Sequence, residues 1–110
     1  MIIITGTISI DPAKRDGCLA ATVPLQAATR RDEPGCLSYV FAADPVDDSA
    51  ISVCELWDGA DHLNAHFLHP NYFGMRQLFG EWGITGAVTA KHRVDASAPV
   101  YVDGVATASF

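Results

Sequence analysis

The run "CELWDGADHLNAHFLHPNYFG", from Cys54 to Gly74, gathers most of the side chains that could do chemistry. His62 and His66 stand four residues apart, and His69 follows three later. On a helix that spacing puts His62 and His66 on one face, with His69 roughly on the same side. Zinc can accept two imidazoles so spaced, and a third with strain. The carboxylate at the head of the helix, Asp58, is marked by its position as a helix cap, and H-E-x-x-H is absent. No metal is expected. His66 alone shares an apolar stripe with Leu63 and Phe67. It is either a half-buried core histidine or a general base whose imidazole works near neutral pH.

Glu55 and Trp57 lie on one face of a strand. A carboxylate buried there needs a partner, and Arg30, Arg31, Arg76 and Arg93 are available. Trp57, Tyr72, Phe73, Phe79 and Trp82 could form a core or line a pocket for a flat aromatic ligand. Periodicity leaves both readings open.

The elements that must carry these residues follow from hydrophobic pattern. Ile2, Ile4, Ile8 and Ile10 alternate with Ile3, Thr5, Thr7 and Ser9, which describes a strand. Asp11-Pro12 caps and starts a helix to about Arg31, with Leu19, Val23 and Ala27 as its apolar stripe and Pro24 as a kink. "EPG" at 33–35 turns the chain. Strands are expected at Cys36–Ala43 and Ala50–Trp57, around the polar loop "DPVDDS". In the first of these, Leu37, Tyr39 and Phe41 share one parity. A second helix runs from the Asp58 cap to about Leu68, Pro70 breaks it, and a short helical piece covers Tyr72 to Phe79. A fourth strand spans Gly86 to Asp95, and "PVYVD" can add a fifth. The expected domain is 1–103, with 104–110 as a frayed or docked tail.

The order β-α-β-β-α-β is that of a ferredoxin-like α+β fold, an antiparallel sheet with its helices on one face. Neither face of the second and third strands reads as solvated. A bare apolar face exceeds what monomers tolerate, so a homodimer packed through the sheet face is expected.

At 110 residues the chain has room for one domain with a modest core. A net charge of −6 without a basic cluster argues against nucleic acid and anionic membrane surfaces. No apolar run approaches the ~18 residues of a membrane span, and "MIIITGTISI" reads as a strand, not a signal peptide. Cys18, Cys36 and Cys54 are an odd set without C-x-x-C. Reduced, buried thiols and a cytoplasmic location are expected. Phosphate loops, G-x-G-x-x-G and G-x-S-x-G are missing, which removes support for nucleotide, Rossmann-flavin and serine-hydrolase chemistry.

The stretch "EPGCLSYVFAADPVDDSAISVCELWDGADHLNAHFLHPNYFG" resembles the antibiotic biosynthesis monooxygenase family. The resemblance rests on E-P-G-C-L-x-Y, an acidic-Pro loop, a strand ending E-x-W, and A-H-x-x-x-P-x-F/Y, and extends over about residues 1–100. It implies a dimeric α+β barrel and a cofactor-independent oxygenase acting with O2 on quinols, anthrones or related polycyclic phenols. Glu55, Trp57, His66 and Phe73 fall on the family's recurring positions. His66 is then the catalytic base or anion-stabilising donor and Trp57 a pocket wall, with Glu55, Tyr39, Phe73, Tyr72 and Arg76 around the substrate. Asn71 stands where many members carry a second His. A haem-degrading branch uses an Asn, a Trp and a haem-ligating His, at positions held here by Thr7 (or Gly6), His66 and Arg76. The haem ligand is therefore missing, and no cofactor is expected. The competing reading is a non-enzymatic small-molecule-binding or stress-associated protein on the same dimer.

Overall fold

The structure, a computed structural model, describes all residues 1–110. Its elements are β1 (Ile2–Ser9), α1 (Pro12–Asp32), β2 (Cys36–Ala43), β3 (Ala50–Trp57), α2 (Ala60–His66), α3 (Pro70–Trp82), β4 (Gly86–Arg93), β5 (Tyr101–Val102) and β6 (Val105–Ala106). The first four long strands form one antiparallel sheet in the order β2-β3-β1-β4. This is the expected ferredoxin-like α+β arrangement.

Register decides which residues meet. Ile4 pairs with both Glu55 and Lys91, Gly6 with Val53 and Thr89, and Glu55 with Tyr39. Partners directly opposite share a face. Ile4, Ile8, Tyr39, Ile51, Val53 and Trp57 therefore point together under the helices, where they join Cys18, Leu63, Met75 and Phe79 in the core. The opposite face carries Thr5, Val40, Cys54, Leu56, Val88 and Ala90, and no helix covers it. Leu37 departs from its expected parity. A register shift between Cys36 and Ser38 leaves it out of the ladder and 55% exposed.

The helices correct three sequence expectations. α1 runs unbroken through Pro24, and its buried face is Cys18, Thr22, Gln26 and Thr29, not Leu19, Val23 and Ala27. The cause is its position along the outer edge of β2. The Gln26 amide donates to the Phe41 carbonyl (3.0 Å) and accepts from the Phe41 N–H (3.0 Å), while Arg30 Nε donates to the Tyr39 carbonyl (2.8 Å). An edge strand needs donors and acceptors more than another apolar stripe. Asp58 does not cap α2, whose N-cap is Gly59; its carboxylate pairs with His62 instead (2.7 Å). Pro70 begins a helix as well as ending one. It occupies the first turn of α3, where a missing N–H costs nothing, and the His69 side chain caps that helix by accepting from Asn71 N.

After β4 the chain forms a β5-β6 hairpin joined by Asp103 (φ 50) and Gly104 (φ 78), both in the left-handed region. It crosses the 103/104 position proposed above as the start of the tail. Val100, Tyr101, Val102 and Val105 are all more than half exposed on this arm. No helix is long and apolar enough to cross a membrane. The thiols are free, with Cys18 buried, Cys36 half-buried and Cys54 exposed on the uncovered sheet face, contrary to the expectation that all three are buried.

Candidate functional site

Beneath α2 and α3 lies a cleft of about 520 Å³, floored by the sheet. Ile4, Ile8 and Val53 make its floor and Met75 and Phe79 part of its roof. The polar groups on its wall are few: Tyr39, Glu55, His66, Tyr72, Arg76 and Thr89. A mostly apolar cleft with a small convergent set of polar groups is the usual form of a small-molecule site.

His66 is the best-defined member. It ends α2 and is only 2% exposed. Its Nδ1 lies 2.7 Å from Glu33 Oε1, and Glu33 is itself buried. A carboxylate only accepts, so the hydrogen of that bond sits on Nδ1, and Nε2 has no partner within the chain. Glu33 is held in turn by Asn71 Nδ2, which donates to Oε2 (3.1 Å), with His69 Nδ1 3.8 Å from the same oxygen. Asn71, at the position where a second His was considered, thus orients the carboxylate that orients His66. Four aromatic rings surround the imidazole. Trp57 is at 4.6 Å between centroids, Tyr72 at 5.3 Å, Tyr39 at 5.4 Å and Phe67 at 5.8 Å.

Sequence reasoning missed Glu33. It read E-P-G only as a turn, yet Glu33 is also the C-cap of α1, its N–H bonded to the Thr29 carbonyl. Pro34 and Gly35 (φ 81) then throw the chain back into β2. That geometry fixes the carboxylate beneath α2. The one available signal was a carboxylate locked between a helix end and a Pro-Gly turn.

Glu55 is 7% exposed. No arginine partners it, contrary to expectation. Its Oε1 accepts from Trp57 Nε1 (3.0 Å), two residues along the same strand face. Burial pushes its pKa up, although the Trp57 hydrogen bond and His66 pull it partly back. Burial also raises Tyr39 far above an ordinary tyrosine, aided by Glu55 and Glu33, so it keeps its proton and can donate. Arg76 lies over the Tyr72 ring, 5.8 Å from its centroid.

Five of the seven expected site residues thus line one cleft: His66, Glu55, Tyr39, Tyr72 and Arg76. Trp57 and Phe73 do not. Trp57 is fully buried behind His66, where its ring packs at a tilt of 35° against the imidazole and its indole N–H bonds Glu55. Phe73 is 52% exposed on the outer side of α3, in contact with Tyr72. Helical spacing explains this, since Tyr72, Met75, Arg76 and Phe79 share a face that Phe73 does not. No three His, Cys, Asp or Glu side chains converge as a metal ion would require.

Comparison with known proteins bears on this site directly. Residues 1–76 match the family of antibiotic biosynthesis monooxygenases. An uncharacterised Synechocystis protein is 33% identical over 72 residues, covering 66% of this chain and 48% of that protein. The chain thus spans about half the length of that relative. Among solved structures, a Deinococcus radiodurans protein provisionally named an antibiotic biosynthesis monooxygenase has a TM-score of 0.82 at 20% identity, covering 93% of this chain and 100% of that one. A similarly named Caulobacter crescentus protein has a TM-score of 0.76 at 24% identity, over 88% and 90% of the two chains. Identities that low speak for the fold alone. The matched segment, by contrast, takes in 76 of 110 residues and includes Glu33, Tyr39, Glu55, His66, Tyr72 and Arg76. By that match, the chain belongs to the antibiotic biosynthesis monooxygenase family.

Proposed function

We propose that the chain is a cofactor-independent monooxygenase that oxidises a quinol-, anthrone- or polyketide-like aromatic with O2. The observation that carries this reading is the buried Glu33–His66 pair on the wall of an aromatic-lined apolar cleft. A histidine whose Nδ1–H is fixed on a carboxylate presents a basic Nε2 to whatever enters, which is the arrangement of a general base. The family membership agrees with the reaction class.

An anthrone offers this base an activated CH2. His66 takes a proton from the activated CH2, and the resulting enolate is stabilised by Arg76 and the Tyr39 hydroxyl. The enolate passes one electron to O2, and the radical and superoxide combine to form a C–O–O bond. The protonated base returns its proton to the peroxide. Loss of the remaining C–H proton and cleavage of O–O then give the ketone and water. One CH2 and one O2 become one C=O and one H2O, and the substrate supplies every electron. Glu55, whose pKa burial pushes up, lines the same cleft and is assigned the proton transfer to the leaving oxygen.

Oxygen uptake under air with a panel of hydroquinones and anthrones tests this. Wild-type protein is expected to exceed the buffer blank, and His66→Ala to lose about 10²–10⁴-fold in kcat. Glu33→Gln should fall between the two, with a displaced pH–rate profile, because the imidazole keeps its place but loses its anionic partner. Wild-type rates equal to the blank sink the proposal. If ligands still bind tightly in that case, the cleft belongs to a small-molecule-binding protein without chemistry.

A further inference from the structure

The cleft does not end at His66. A second hollow of about 340 Å³ opens between α2 and the β1–β4 pair, and it shares Ile4, Phe67 and Thr89 with the first. The two hollows adjoin along those three side chains. Gly6 pairs with Thr89 beside them. It sits on the helix-facing side between Ile4 and Ile8, and a Cβ there would come within 2.6 Å of the Thr89 methyl and 2.5 Å of the Val88 carbonyl. The second lobe is lined by Ile2, Leu63 and Ala60, with Asn64 and Lys91 as its polar side chains besides Thr89.

Charge distinguishes this lobe. The chain has only seven Lys and Arg against thirteen Asp and Glu. Arg15 is spent on the carbonyls of Asp44, Asp47 and Ala50, Arg30 on Tyr39, and Arg31 on Asp32. Lys14, Arg76, Lys91 and Arg93 join no ion pair; of these only Lys91, on exposed β4, lines the second lobe, and no carboxylate lines it. In an acidic protein, an unpaired ammonium on the wall of an apolar hollow is a receptor for an anion.

We propose that the second lobe binds an acidic substituent of the substrate, so that the ligand is an elongated aromatic acid. Its ring system lies against His66, and a carboxylate-bearing arm passes Ile4, Phe67 and Thr89 to reach Lys91, with the Asn64 amide as a second donor. The inference rests on the cleft being the substrate site, and it adds to that reading the class of molecule. A lysine facing inward on an edge strand also deters strand addition, a role that no ligand preference would follow.

The test compares two probes that differ only in charge: a 1,4-dihydroxynaphthalene with a 2-propanoate arm, and the same compound with a 2-propanamide arm. Binding is measured by calorimetry without oxygen. The acid is expected to bind wild-type protein at least about tenfold more tightly than the amide. Lys91→Gln should erase that preference while leaving amide affinity unchanged, and Lys91→Arg should keep it. Equal affinities in the wild type, or a preference that survives Lys91→Gln, overturn the inference. Oxygen uptake on the same probes is read separately. An acid preference without uptake leaves the inference standing and sinks the oxygenase reading, and uptake without preference does the reverse.

Discussion

Glu55 shows how a residue can be placed by one interaction and tuned by another. The E-x-W spacing puts its carboxylate beside the Trp57 indole, and the sheet buries both. Its pKa is raised in the folded state, chiefly by desolvation. Below the ordinary carboxylate pKa of about 4.3 the group is protonated in both folded and unfolded chains. As pH rises above that value the unfolded chain ionises first, the folded chain holds more protons, and stability falls until the raised folded pKa is passed. Glu55→Gln keeps an oxygen for Trp57 and removes the titration. The melting temperature of the variant relative to wild type should therefore climb as pH rises above about 4.3 and level off once the raised folded pKa is passed. Parallel curves across that range would mean that Glu55 is not desolvated. The parity of Glu55 and Trp57 was legible because it follows from a period of two. The partner of His66 was not, because Glu33 lies 33 residues away and only the packing of α1 against β2 brings it under α2.

At the scale of elements, strand and helix order followed directly from the hydrophobic pattern, but the buried face of α1 did not. Apolar spacing pointed to Leu19, Val23 and Ala27, whereas Thr22, Gln26 and Thr29 are the residues buried. Periodicity assumes that a helix packs its oil against a sheet face. α1 instead lies along a strand edge, whose open N–H and C=O groups must be met by polar side chains. Gln26 meets both groups of Phe41, and Phe41 lines the cleft. Gln26→Leu leaves that N–H and C=O without partners, at about 1–3 kcal/mol for each group. Urea unfolding should then show a loss of about 2–6 kcal/mol with an unchanged slope, well above that of a surface substitution. A loss below about 0.5 kcal/mol would assign the satisfaction of β2 to water and not to α1.

For the whole molecule, the uncovered sheet face and the C-terminal arm pose one question together. The radius of gyration is 15.5 Å, against about 13 Å for a compact chain of this length. The excess fits an arm that leaves the domain with Val100, Tyr101, Val102, Val105 and Phe110 in solvent. Val88 of β4 is 79% exposed, and Leu56, Val40 and Ile3 lie on the sheet face that no helix covers. We propose that a second copy covers this face, as the sequence already suggested. Four strands about 4.8 Å apart and about 27 Å long offer roughly 500 Å² in plan. A stable pair buries about 800 Å² per subunit, so the sheet alone falls short and the arm must supply the remainder. Light scattering at micromolar concentration should therefore give twice the chain mass. Leu56→Lys, which sets like charges against each other across a two-fold axis, should yield monomer. Removal of residues 99–110 should weaken the pair and leave the domain folded, because the arm pairs only with itself. A wild-type protein that is monomeric at these concentrations would refute the arrangement. Full-strength dimerisation without the arm would confine the interface to the sheet.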